Sequence, residues 1–210
     1  MTTATVHVPA IAHTKNGHPE NQNRLNKLLP FLDRAGILAD LHLLQPVSAT
    51  LEQLRRVHTP ALIERIREVS SLGGGILDQG DTYATPNSFE LARSAAGSAI
   101  AVVDQIMTGQ ARNGFALVRP PGHHAEYGRI SGFCLFNNVA AAARQAQAIQ
   151  TSSVSSSSIL TFITATAPRT SSMKMTPFCL SRPICFYRAC FIQVRAICRS
   201  LAMGLGMATR

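Results

Sequence analysis

Apolar positions recur at helical spacing in one long stretch, where Leu91, Ala95, Ala99, Val102 and Ile106 fall three or four residues apart before Thr108-Gly109. That spacing predicts a helix, with Asn87-Ser88-Phe89-Glu90 as its opening. Upstream, Thr50-Leu51-Glu52-Gln53 reads as a capping box, because a Thr oxygen and a Gln side chain can satisfy orphan N–H groups reciprocally. Thr59-Pro60 supplies a cap and an N1 proline for a second helix over residues 61–72, which Gly73-Gly74-Gly75 ends. Phe115-Ala116-Leu117-Val118 is short and apolar and is flanked by Gly114 and Arg119-Pro120-Pro121, the pattern of a buried strand running into a loop. Asn138 then stands as the cap of a helix over residues 139–149. Helices alternating with short buried strands imply an α/β fold, a mostly parallel sheet flanked by helices, with its binding crevice at the strands' C-terminal ends. His123 and His124 fall at such an end.

After Gln150 the pattern stops. Residues 151–158 are almost all serine, and residues 159–210 show neither period nor caps, so the chain divides into residues 1–150, part of a folded domain, and residues 151–210, an irregular tail. Charge divides at the same place. Of the net charge of +9, residues 1–150 contribute +2, from thirteen Lys and Arg against eleven Asp and Glu. The tail holds the other seven basic residues and no Asp, Glu or His, so a basicity that would suggest an anionic partner belongs to the tail alone. Four of the five cysteines also lie there, without a Cys-x-x-Cys pair. The N-terminus lacks a basic segment followed by an apolar run, and no stretch is apolar enough to span a membrane, so a cytoplasmic protein is expected.

The chemistry lies in Pro121-Gly122-His123-His124, two imidazoles in a tight loop after a buried strand. One ring can take a proton from water while the other positions or protonates a leaving group. An isolated His pair is more often a surface feature, but these neighbours are distinctive. Arg119-Pro120-Pro121-Gly122-His123-His124-Ala125, followed by Gly132-Phe133-Cys134-Leu135-Phe136-Asn137-Asn138, resembles the active-site signature of the histone deacetylase family, nearer its class II and bacterial amidohydrolase branch. His18-Pro19-Glu20 with Arg24, His58 and Asp81-Thr82-Tyr83 match in the expected order upstream, and the resemblance ends near residue 150.

The resemblance implies an arginase/deacetylase-like fold, here incomplete, and zinc-dependent hydrolysis of acetyl-lysine-like amides, on acetylated proteins or small acetylamides. It implies His124 as the main general base and His123 as its partner. Phe133 becomes a wall of the substrate tunnel, with the Gly132 backbone lining it beside the metal. Asp81 holds the substrate at the rim, and Arg24 lies near an internal channel. The family's zinc, which polarises the amide carbonyl and activates water, is bound by an Asp-x-His pair and a second Asp, all beyond the Asn138 helix. No metal ligand can be assigned here, because residues 151–210 contain neither Asp nor His, so this chain is expected not to bind zinc and to be inactive as translated.

The genetic code accounts for the tail. A gene read one base out of register keeps most of each lost codon, so the lost protein can be partly reconstructed. Met173-Lys174 read from its central G gives Glu, and Met175-Thr176 gives Asp. From Ser153 the same shift permits Arg-Val-Leu-Ile-Val-Asp-Phe-Asp-Val-His-His-Gly, which resembles the family's next strand and its Asp-x-His motif. The register change falls between about Ala146 and Ser153, and residues 151–210 read as an out-of-frame basic tail that truncates the domain. The alternative is a non-catalytic protein whose tail, with Phe162, Phe178, Phe186, Tyr187 and Phe191 for stacking, binds nucleic acid or an acidic surface, but the +2 balance of residues 1–150 gives nucleic acid little support as a partner. An arginase-like hydrolase fits the sheet but not the paired histidines or Gly132-Phe133-Cys134.

Overall fold

The computed structural model describes residues 2–152 and, beyond them, strands at Ser157–Phe162 and Phe191–Cys198. Residues 153–156 of the serine run, the tail's basic residues and its proposed stacking aromatics lie outside the described residues, apart from the backbone of those two strands. Among the described residues no helix is long and apolar enough to cross a membrane.

A five-stranded sheet organises the chain. Strand β1, Thr3–Val8, alternates small or branched apolar residues with polar ones, and it pairs in parallel with β2, Leu41–Leu44, and with β5, Asn113–Val118. Two short helices, α1 at Leu28–Arg34 and α2 at Leu51–Arg55, and a longer one, α3 at Pro60–Ser71, precede a small hairpin of β3, Gly75–Ile76, and β4, Tyr83–Ala84. Helix α4, Ser88–Met107, and helix α5, Asn138–Ser152, cover one face of the sheet. Ala4, Val6 and Val8 of β1 and Ala116 and Val118 of β5 pack there against Ala95, Ala99, Val102, Ile106, Val139, Ala142 and Ala146. Gly114 admits this approach, since a Cβ would sit 2.6 Å from the Val102 side chain. A second core gathers α2, α3 and the Ile130–Phe136 loop against α4.

The parallel strands are β2, β1 and β5; the sheet continues through β7, Phe191–Cys198, antiparallel to β5, and β6, Ser157–Phe162, antiparallel to β7. Both antiparallel strands come from beyond residue 150, so the tail, expected to be irregular, contributes extended backbone at the open edge of β5, where unpaired N–H and C=O groups invite a partner.

The capping box at Thr50 and the Thr59-Pro60 start are present as expected. At the start of α4 Asn87 holds the cap position without a side-chain cap bond, and the Ser88 hydroxyl accepts the Thr85 N–H at 2.6 Å. One cap differs. At α5 the capping side chain is Asn137, whose Oδ1 accepts the Ala140 N–H at 3.0 Å, while Asn138 donates to the Pro120 carbonyl at 3.1 Å. Adjacent asparagines share the work: one closes the helix, the other ties it to the loop that carries the histidines.

Candidate functional site

The loop leaving β5 is anchored by a buried guanidinium. Arg119 donates from Nε to Glu20 Oε1 at 2.5 Å, from Nη1 to the Pro9 and Ala10 carbonyls at 2.8 and 3.1 Å, and from Nη2 to the His13 carbonyl at 2.7 Å. One side chain thus binds the end of β5 to the segment after β1. Glu20 is buried beneath it and pairs also with Arg24. A buried ion pair is tolerable only when its remaining hydrogen-bonding groups are satisfied, and Arg119 meets that condition through three backbone carbonyls.

From this anchor a ladder of rings runs towards the loop of residues 131–134. Tyr83 stacks on His13 at 4.6 Å and donates its hydroxyl to the Glu20 carbonyl at 2.9 Å. His18 meets Tyr83 and Phe133 edge-on at 4.7 and 4.8 Å. The Glu20 N–H points at His18 Nδ1 at 3.0 Å, which makes that nitrogen the acceptor and leaves Nε2 to donate to the Asp81 carbonyl at 3.0 Å. The Phe133 N–H reaches the Thr82 hydroxyl at 3.0 Å. Asp81 and Phe133, far apart in sequence, are therefore held through adjacent groups, Thr82 and the His18 ring.

Phe133 and Gly132 both adopt left-handed backbone, with φ of 67° and 59°. For Gly132 this costs little, and its missing side chain is needed: a Cβ there would lie 2.7 Å from the His124 ring. For Phe133 the conformation is strained, held by its neighbours. The His123 and His124 rings lie 4.3 Å apart. Burial above all, then the positive fields of His124 and Arg24, push the His123 pKa down to about 4, so the ring is neutral at neutral pH. His58 supports the loop from beneath, accepting the Asn137 N–H on Nε2 and donating from Nδ1 to the Glu126 carbonyl, both at 2.8 Å; burial lowers its pKa to about 4.

The structure therefore gathers His123, His124, Gly132 and Phe133 in one loop cluster, with Asp81 joined to it through His18 and Thr82, and Arg24 acting on His123 through its charge. The sequence motif contained Arg119, Glu20, His18 and His58 without showing what they do. Arg119 directly follows the apolar run of β5 and is opposite in charge to Glu20, a signal that could have paired them.

A catalytic zinc centre takes three protein ligands. Among the described residues no group of three or more His, Cys, Asp or Glu is placed to hold a metal. Residues 151–210, whatever their placement, offer cysteine but no carboxylate or imidazole side chain.

Comparison with known proteins gives these residues a context. The histone deacetylase domain profile matches residues 18–156. A histone deacetylase-like amidohydrolase of Pseudomonas aeruginosa is 42% identical over 132 residues, which cover 63% of this chain and 34% of that protein. A probable deacetylase of Methanothermobacter thermautotrophicus is 36% identical over 145 residues, 68% of this chain and 42% of the relative. The human polyamine deacetylase HDAC10 is 41% identical over 133 residues, 61% of this chain and 20% of its own length. Among solved structures, the HDA15 HD domain superposes with a TM-score of 0.67 at 36% identity, covering 70% of this chain and 44% of that one. The chain thus spans less than half the length of each of these relatives.

Proposed function

Because the chain belongs to the histone deacetylase family, we propose that residues 1–150 form the imidazole half of a zinc-dependent deacetylase site, and that the chain as translated does not hydrolyse amides. The observation that carries this reading is the fit of Gly132 against the His124 ring, with the His123 ring 4.3 Å away, which sets two imidazoles side by side in the loop after β5.

In this reading His124 is the general base and His123 the second imidazole of the pair. Phe133 forms one wall of the tunnel that admits an acetyl-lysine-like chain, the Gly132 backbone lines it, Asp81 holds the substrate's backbone or amine end at the rim, and Arg24 lies towards the internal channel. The strained Phe133 backbone supports this, since strain persists where surrounding structure holds a residue for a task. Neutral His123 can accept a hydrogen bond but has no activated water to serve.

The missing ligands are encoded, in this reading, in the neighbouring register. The codons of Leu160–Ile163, read one base earlier, permit Asp-x-His, and the register change falls between about Ala146 and Ser153. Residues 151–210 are then an out-of-frame tail rather than a domain. The substrate class of the intact site is an acetylated lysine side chain or an N-acetylated polyamine, as the names of the relatives suggest. The cytoplasm is the proposed compartment, where Cys134 stays a thiol.

The test is zinc content and turnover of the purified chain on an acetyl-lysine peptide and an N-acetylated polyamine. The expected result is well below one zinc per chain and no deacetylation; one zinc per chain with turnover would overturn the proposal.

A further inference from the structure

Asp81 lies on the loop of residues 77–82, which joins β3 to β4. Both ends of this loop are buried, at Leu77 and Thr82, and the Leu77 N–H closes it on the Thr82 carbonyl at 2.8 Å. Arg65 of α3 ties the start of the loop down, donating to the Leu77 carbonyl at 2.8 Å. Between the ends Gln79, Gly80 and Asp81 are exposed, so burial does little to fix the backbone there. The Asp78 side chain does this instead. One carboxylate oxygen, Oδ1, accepts the Gly80 N–H at 2.9 Å and the Thr82 N–H at 3.0 Å. This is an Asx turn strengthened by an ionised acceptor, and Asp81 sits between the two amides it gathers.

The same constraint passes from the loop to Phe133. The Thr82 hydroxyl accepts the Phe133 N–H at 3.0 Å, and Phe133 holds a φ of 67°, backbone that a residue with a side chain keeps only when its neighbours hold it. The Asp81 carbonyl accepts from His18 Nε2 at 3.0 Å, and the His18 ring meets the Phe133 ring edge-on at 4.8 Å. The loop therefore reaches Phe133 twice, at its backbone through Thr82 and at its ring through His18.

We propose that Asp78 is a positioning residue for the substrate site: without touching substrate, it sets Asp81 at the rim and, through Thr82, the Phe133 wall, so that rim and wall move as one unit. This rests on the proposed function, in which Asp81 and Phe133 contact an acetyl-lysine-like chain. A substitution that leaves an acceptor at position 78 keeps both contacts in place, and one that removes it loosens both together.

The experiment uses the full 210-residue chain and two readouts. One is hydrogen exchange at the Phe133 amide, followed by mass spectrometry with single-residue fragmentation. The other is the affinity for a fluorescein-labelled peptide carrying one Nε-acetyl-lysine, followed by anisotropy. Asp78→Ala removes both side-chain bonds and should speed Phe133 exchange and weaken the peptide by about tenfold each. Asp78→Asn keeps an oxygen acceptor and should stay within about threefold of the parent in both. Thr82→Val, which removes the acceptor for the Phe133 N–H, should reproduce the faster exchange, and Thr82→Ser should restore the parent rate. Amides of β1 and β5 should keep the parent's rates in every variant. Phe133 exchange that ignores Asp78→Ala, or an acceleration shared by β1 and β5, overturns the proposal. So does faster exchange with unchanged peptide affinity, which would leave Asp78 shaping the loop alone, or an equal loss in Asp78→Asn, which would assign the effect to charge at the rim. A parent chain that binds no peptide, while Phe133 still responds to Asp78→Ala, defeats the functional reading and the substrate role with it; a parent that binds and ignores Asp78→Ala defeats only the positioning role.

Discussion

Replacing Arg119 by methionine is the sharpest perturbation of the candidate site. The substitution keeps much of the aliphatic stem and removes a guanidinium that bonds Glu20 and three backbone carbonyls. Glu20, with a fully buried side chain, would keep only the partly exposed Arg24 as a counter-charge. Stripping one partner from a buried ion pair costs about 3–5 kcal/mol, because an uncompensated charge remains. The orphaned carbonyls push in the same direction, although the terms do not add fully. About 4 kcal/mol is expected, a large part of the roughly 5–15 kcal/mol that stabilises a typical domain. With a urea m-value of about 2 kcal/mol/M, the midpoint should fall by about 2 M. Circular dichroism is the natural probe, since the chain has no tryptophan. The double variant Arg119→Met/Glu20→Leu removes both charges and should recover at least half of the loss. A single-variant cost below about 1 kcal/mol, or a double variant costing as much as the two singles together, would refute the account of this pair as the clasp of the site.

Gly132→Ala should cost about 1–3 kcal/mol and shift the His124 ring resonances, because its Cβ would fall 2.7 Å from that ring in left-handed backbone; an unchanged His124 spectrum would count against the contact. Stability should fall with acidity. Burial holds the His13 and His58 pKa values near 3 and 4, below the ordinary 6.5, so the unfolded chain takes up protons first as the pH drops. Their contribution is intact above about pH 6.5 and is lost as the pH falls through about 4 to 3; at pH 5 each has lost about 2 kcal/mol. Equal urea midpoints at pH 7 and pH 5 would contradict this. The exposed apolar side chains of Phe31 and Ile37 should make the chain self-associate at micromolar concentration, and a monomer by light scattering would contradict this.

Much of the fold was legible because local signals agreed with global packing. The box at Thr50, the proline start at Thr59 and the stripe from Leu91 to Ile106 all mark elements whose ends are fixed by neighbours in sequence. The cap at Asn138 was misassigned because two asparagines stand side by side, and only three-dimensional partners decided which one closes the helix. Strand β1 carries a period of two in Thr3-Ala4-Thr5-Val6-His7-Val8, a strand signal short enough to be overlooked beside the longer helical stripes. Within the site, the histidine loop was visible as a motif. The ladder from Arg119 through Glu20, Tyr83 and His18 to Phe133 was not, because each link joins residues brought together only by the sheet.

The central claim, that the imidazole half of a hydrolytic site is read in one register and its carboxylate half in the next, is tested most directly by the nucleotide sequence from codon 146 through codon 176. The account predicts that the neighbouring register runs open across this interval and spells Asp-x-His over the codons of Leu160–Ile163. A stop codon there, or a register that cannot supply those ligands, would contradict it.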